Sequence, residues 1–455
     1  MTPSWTLETP LTPHPARDYA VDVLFRRWLG LELLLVRAQR ADLSLRRSDA
    51  PGELRLTEAI LPGAVSPSLA TRPLPPWLRP AHSNPPLISP ECVATRADPD
   101  QITFHADLLG TLFYWLSGWG ELASDLRDPH ERILAYTCPT GAAGLLEHPS
   151  ADELADLVYA ALLQLWPDTP LPPTARAAIM PSHDVDQPWL LGTLSSAEIF
   201  RSARRRLYPD LRPFAALETL SRWSLVRLGL RSADPFHTFP WLMRQSEARG
   251  LRSTFYFQAG RTDPQFDHAP DLALPAMRRL LRTIHARGHR IGLHPSYGTF
   301  RDGEALKRES TRLREICAAE SIHQDLWPCR MHYLRWDVRL TPGLLDDAGL
   351  DEDSSLAFAD RAGFRRGTAR PFPLWCWVKK RPLHIIEQPL VAMEASLLTP
   401  AYENLSHHEA RERLRYLRAT CHEHGGTFTL LWHNSSLRTP ADRALYLDAL
   451  DTLSE

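Results

Sequence analysis

The stretch Ala177-Ala178-Ile179-Met180-Pro181-Ser182-His183-Asp184-Val185-Asp186 decides the reading of this chain. A short apolar run turns polar within a few residues and ends on two carboxylates. In extended backbone alternate side chains share a face, so Asp184 and Asp186 point one way and His183 and Val185 the other. Two carboxylates at one mouth repel unless a cation or an arginine sits between them. The plain alternative is an Asx-turn or a helix cap, the common task of an aspartate after a strand.

Three later runs end in the same manner. HRIGLH (289–294) delivers His294 just before Pro295, which restricts the backbone. Cys329-Arg330-Met331-His332-Tyr333-Leu334-Arg335 puts Arg330 and His332 on one face by period two, with Met331 on the other. Leu430-Leu431-Trp432-His433-Asn434 brings one histidine to the end of an apolar strand. Imidazoles and a guanidinium offered to two aspartates would supply metal ligands and a carboxylate partner. Taken singly, each histidine reads more readily as a packed residue and the arginine as a surface ion pair.

Helical stretches lie between these runs, at about 274–287, 306–319, after Thr341 and at 406–424, and RSTFYFQ, DSSLAFA and HIIEQPLVAME read as further strands. Strands alternating with helices predict parallel β/α units. Roughly seven strands would close, or nearly close, a barrel, in which chemistry gathers at the carboxyl ends of the strands.

Upstream the texture differs. Residues 19–37 predict a helix or a strand–helix unit, 48–90 a proline-rich extended segment, and DLLGTLFYWLSGWGELASDL (107–126) and 151–165 two helices. WPDTPLPPT then punctuates the chain near Pro170, which divides it into residues 1–172 and 173–455. A length of 455 residues agrees with two domains, the first an α/β domain with no chemistry of its own in its sequence.

Composition narrows the class. A formal net charge of -2 gives no reason to expect nucleic acid. The six cysteines form no CxxC pair, against a zinc ribbon or a disulfide framework. The start, MTPSWTLETPLTPHPARDY, carries no basic-then-apolar secretory pattern, and the apolar run at 33–36 is too short to span a bilayer, so the expected location is the cytoplasm. Only three lysines stand beside 40 prolines, a coding bias of GC-rich bacterial genomes. The row Arg201, Arg204, Arg205 and Arg206 reads as a solvated helical face or as a grip for the phosphate of a nucleotide- or lipid-linked sugar.

Aspartates after the first strand, histidine after the third, arginine on the next and histidine after the last form an order that resembles the polysaccharide deacetylases of the NodB-homology type, carbohydrate esterase family four. HDVD (183–186) resembles a variant of their Thr-Phe-Asp-Asp-Gly motif. RSTFYFQAG resembles their second strand, GHRIGLHPS their metal motif, RMHYLRW their Arg-x-Pro-Tyr motif and LLWHN their final histidine motif. The resemblance spans about residues 175–440. It is nearest to a branch that also carries GLHPSY and DSSLAFADRAGFRRGT-x-x-PF. The part before it resembles an uncharacterised domain that precedes deacetylase domains in some bacterial proteins.

The resemblance implies a deformed (β/α)7 barrel and a metal-dependent hydrolase that removes an N-acetyl group from an amino sugar in a glycan or a glycan precursor. It implies a divalent metal, zinc first, held by Asp186 and His294. It also implies Asp184 as base, Arg330 holding that base ionised and oriented, and His433 as the acid that protonates the leaving amine. Val185 lies between the aspartates, so their roles are open to exchange. The family's second metal histidine, four residues after the first, is replaced here by Gly298. Either His332, where the family has proline, supplies the missing imidazole, or the site holds metal weakly or not at all. Two rivals follow: a catalytically impaired barrel that binds glycan or acts as a scaffold, and a hydrolase of another C–N bond.

Overall fold

The computed structural model describes residues 5–57, 69–79, 84–88, 92–173, 178–192, 194–208 and 210–451. It is a mixed α/β structure with two sheets. The first comprises β1 (Trp5–Pro10), β2 (Leu33–Ala38), β3 (Leu43–Arg47), β4 (Glu53–Leu56), β5 (Ala94–Asp98) and β6 (Gln101–Phe104), in the order β2-β1-β3-β4-β6-β5. In β1, Trp5, Leu7 and Thr9 alternate inward, the period-two signature of a strand with one buried face.

The second sheet contains β7 (Ile179–Val185), β8 (Thr254–Phe257), β9 (Arg290–Leu293), β10 (Pro328–Cys329), β11 (Glu352–Asp353), β12 (Phe372–Cys376), β13 (Arg381–Glu387), β14 (Ala392–Met393) and β15 (Phe428–Leu431). Its order is β12-β13-β11-β10-β9-β8-β7-β15-β14. Every neighbouring pair from β13 to β14 is parallel, and β12 alone runs antiparallel, on β13. Among the described residues β12 and β14 are edges, so no closed barrel is formed.

Buried on both faces, the central strands read as apolar runs, as parallel strands between helices do. Pro181 is tolerated in β7 because it pairs there with β15 alone; pairing with β8 starts at Ser182. Gly292 is required on β9, where a Cβ would lie 2.4 Å from the ring of Tyr256 on β8.

Most expected helices appear, at Leu108–Ser117, Ser150–Leu165, Pro275–Ala286, Gly303–Ala319, Thr341–Asp347 and His407–Glu423. Residues 19–37 divide into helical turns up to Trp28 and the strand β2. Three expectations change. The proline-rich stretch contains β4 and a bridge between Ala70 and Leu87, while 58–68, 80–83 and 89–90 lie outside the described residues. DSSLAFA is mostly loop after the two-residue β11. Residues 196–227, read only for their arginines, form two helices, Ser196–Leu207 and Pro213–Arg227.

One continuous cluster of buried side chains runs through both sheets. Across it, Glu121 receives Arg365 at 2.8 and 3.0 Å and Arg366 at 2.7 Å, all three side chains buried. Arg365 is therefore committed to this triad. Asp152 accepts from Thr368 Oγ1 and the Ala369 amide. All six cysteines are free.

Candidate metal and active site

β7 ends with Asp184 buried and Asp186 partly exposed one step beyond the strand. Beneath them Arg330 is fully buried. Its Nη1 lies 3.1 Å from Asp184 Oδ1 and donates to Ser182 Oγ at 2.8 Å. Nε and Nη2 donate to the carbonyl and hydroxyl of Ser354, and the guanidinium lies 4.6 Å from the centre of the Tyr256 ring that Gly292 accommodates. Every arm of the fork is occupied, so Asp184 faces a cation that cannot swing away.

His294 follows β9 directly. Its Nδ1 lies 2.6 Å from the carbonyl oxygen of Arg330, and donation there leaves the Nε2 lone pair facing Asp186 Oδ1 at 3.2 Å and Asp184 Oδ2 at 3.7 Å. His332 arrives by a route that period two does not describe. β10 ends at Cys329, and the chain turns through Tyr333 and Leu334, both at positive φ (60° and 54°), conformations that cost a non-glycine residue of order 1 kcal/mol each. His332 Nδ1 lies 3.0 Å from Asp267 Oδ1, and Nε2 lies 3.6 Å from Asp186 Oδ1. Both rings thus anchor one nitrogen and present the other, the usual way a protein fixes the tautomer of a metal-binding histidine.

Asp186, His294 and His332 each offer a ligand atom, and the three lie within 4.8 Å of one another. Asp186 Oδ1 is buried without a hydrogen-bond partner, so the cluster has an acceptor that the protein itself leaves unsatisfied. Two imidazoles and one carboxylate form a donor set suited to a divalent transition metal. Burial disfavours the Asp186 anion, yet His332, His294 and His433 outweigh it and hold the carboxyl far below its usual range. Burial likewise disfavours the His294 cation, and the carboxylates of Asp184 and Asp186 reverse that and raise its pKa.

His433 stands across the same opening, with Nε2 3.6 Å from Asp186 Oδ2 and Nδ1 2.7 Å from Glu394 Oε1. Burial would lower its pKa, but Glu394, then Asp186 and Asp184, carry it up to about 10. A cavity of about 360 Å³ joins Asp184, Asp186, His294, His332 and His433, with Phe266, Tyr333 and Tyr402 in its wall. Arg132, from the first part of the chain, also lines it, donating to Tyr333 O at 3.2 Å and Tyr402 Oη at 2.9 Å.

Five of the six residues expected from the sequence thus line one opening, and the sixth, Arg330, is buried beneath it against Asp184. Asp267, Glu394 and Arg132 escaped the sequence reading. Glu394 ends the VAME run directly after β14, a signal that was available, whereas Asp267 and Arg132 lie in loops without periodicity. Among the described residues no helix is long and apolar enough to cross a membrane.

A model for a family of unknown function (DUF7033) matches residues 6–167. No curated protein matches the chain. Among solved structures, a Mycobacterium smegmatis protein provisionally named a polysaccharide deacetylase is similar over 61% of this chain and 84% of its own, at 17% identity and a TM-score of 0.37.

Proposed function

We propose that the chain is a metal-dependent hydrolase that removes the N-acetyl group of an amino sugar in a glycan or glycan precursor. The observation that carries this reading is the convergence of Asp186, His294 and His332 beside the Asp184–Arg330 pair and His433 in one cavity. In this reading the parallel run of the second sheet is an opened, deformed (β/α)7 barrel. Residues 1–172 form an accessory domain whose Arg132 helps to wall the cavity, and residues 173–455 carry the chemistry.

Asp186, His294 and His332 would hold the divalent ion, zinc first, which when bound supplies Lewis acidity toward an acetyl carbonyl and a water. Asp184, held in place by Arg330 at 3.1 Å, takes the proton of the attacking water. His433 enters protonated, held so by Glu394, and donates its Nε2 proton to the departing amine as the C–N bond breaks. The acetyl group leaves as acetate and the sugar as a free amine. Phe266, Tyr333 and Tyr402 provide flat apolar surface of the kind that stacks on sugar rings.

The rival, a barrel that binds glycan without turnover, draws support from the upward shift of His294, since protons can satisfy the carboxylates in place of a metal. Hydrolysis of another C–N bond uses the same groups. Acetate release from N-acetylated amino-sugar oligomers, beside a panel of small amides, separates the three readings when run on zinc-loaded and on chelated protein. Metal-dependent release from the sugars alone supports the proposal. Failure to take up metal after incubation with zinc removes its mechanism.

A further inference from the structure

The two helices Ser196–Leu207 and Pro213–Arg227 form a hairpin inserted directly after β7. Ile199 and Ala203 on the first and Ala216 and Thr219 on the second are buried, which leaves most of each helix facing outward. Nine of the twenty large apolar side chains exposed among the described residues lie at 200–230. On the second helix Phe214, Leu217, Leu225 and Leu228 recur at helical spacing and form one stripe, 86%, 64%, 41% and 84% exposed. Tyr208 and Leu211 extend it around the tip at 78% and 76%.

The same segment is strongly basic. Residues 196–231 hold eight arginines against three carboxylates (Glu198, Asp210 and Glu218), a net +5 in a chain whose total is -2. Its one ion pair among the described residues is Arg222–Glu218, so Arg204, Arg205, Arg206 and Arg212 keep free charge. The helices are locally well built, with a Ser195–Glu198 capping box and Pro213 in the first turn of the second. The neck is closed by buried Asp234, which accepts from the amides of Leu190, Leu191, Gly192 and Phe236 at 2.8–3.0 Å. Asn434, next to His433, donates to Gln187 O and Phe236 O and ties that neck to the rim of the site.

We infer that this hairpin is a membrane-surface anchor that lays its apolar stripe into the interface of an anionic phospholipid bilayer while its arginines meet the headgroups. Exposed apolar stripes flanked by arginine are the pattern of helices that lie on membranes, and the charge complements an anionic surface. A second copy fits less well, since two hairpins of +5 repel. Anchoring would bring the cavity rim beside a lipid surface, a placement suited to a substrate carried on lipid.

Flotation of the full-length protein with vesicles tests this, and the assay needs neither metal nor turnover. Binding is expected to vesicles of mixed phosphatidylglycerol and phosphatidylcholine, at least about tenfold weaker to pure phosphatidylcholine, and to weaken with salt. Phe214→Glu with Leu217→Glu, and separately Arg204→Glu with Arg205→Glu, should each lower binding by a similar factor. Both pairs lie on exposed positions, and unchanged far-ultraviolet dichroism checks the fold. The inference is overturned if the wild type stays unbound, or if neither pair of changes lowers binding. It is also overturned if sedimentation shows a dimer that Phe214→Glu with Leu217→Glu converts to monomer.

Discussion

His332 and Asp267 are joined at 3.0 Å between Nδ1 and Oδ1, and this contact turns the far nitrogen of His332 toward Asp186. Asp267 is itself rigid: it is buried and accepts from the amides of Thr262, Asp263 and Tyr297 at 2.8–2.9 Å. Burial opposes its charge, but the His332 bond and these amides outweigh that and hold its pKa down to about 2. A carboxylate behind an imidazole fixes its tautomer and raises its basicity toward a metal.

Asp267→Asn should therefore weaken zinc binding by about 10- to 100-fold while the protein stays folded. His294→Ala and His332→Ala should each lower the zinc content of the purified protein, read by elemental mass spectrometry. Full zinc occupancy in His332→Ala would remove it from the ligand set.

The two aspartates differ in surroundings, and their variants should differ in kind. Asp184→Asn is expected to keep its zinc and lose about 10²- to 10⁴-fold in kcat, the range for a general base. Asp186→Asn is expected to lose the zinc itself. The opposite pattern would exchange the two roles.

His433 is raised in the folded protein, so its cationic form persists from acid pH up toward about 10. The stability contributed by its pairing with Glu394 is full below the unfolded value near 6.5 and is lost as pH climbs through the folded value. Glu394→Gln removes the largest opposing charge, so the alkaline limb of kcat/KM should move to lower pH. A limb that stays in place would show that another group sets it.

Glu121 lies between two buried guanidiniums that keep it ionised well below its usual range despite burial. A depressed carboxyl stabilises the fold above its unfolded value near 4.5 and withdraws that stability as pH falls below it. Glu121→Gln leaves two buried cations without their anion and should cost about 3–5 kcal/mol in denaturant unfolding, with a flatter acid dependence. A cost near zero would mean that Arg365 and Arg366 find other partners.

Much of the site was legible because it lies where local periodicity breaks. Strands of four to seven residues end within two residues of Asp184, His294 and His433, and an apolar run that turns polar can be read without knowing what it packs against. The long amphipathic helices were legible for the same reason. The hairpin at 196–227 was not, because its apolar residues face outward and its buried ones are mostly small.

The sequence by itself determined which residues could serve as ligands, base and acid, since these depend on side-chain chemistry and on position at a strand end. Only the tertiary structure decided that His332 reaches Asp186, since β10 ends at Cys329 and His332 lies beyond the strand, where period two no longer fixes the direction of a side chain. It alone brought Asp267 behind His332, Glu394 behind His433 and Arg132 into the cavity wall. Those contacts join residues 39 to 270 positions apart, and packing of separate elements, not local pattern, sets them.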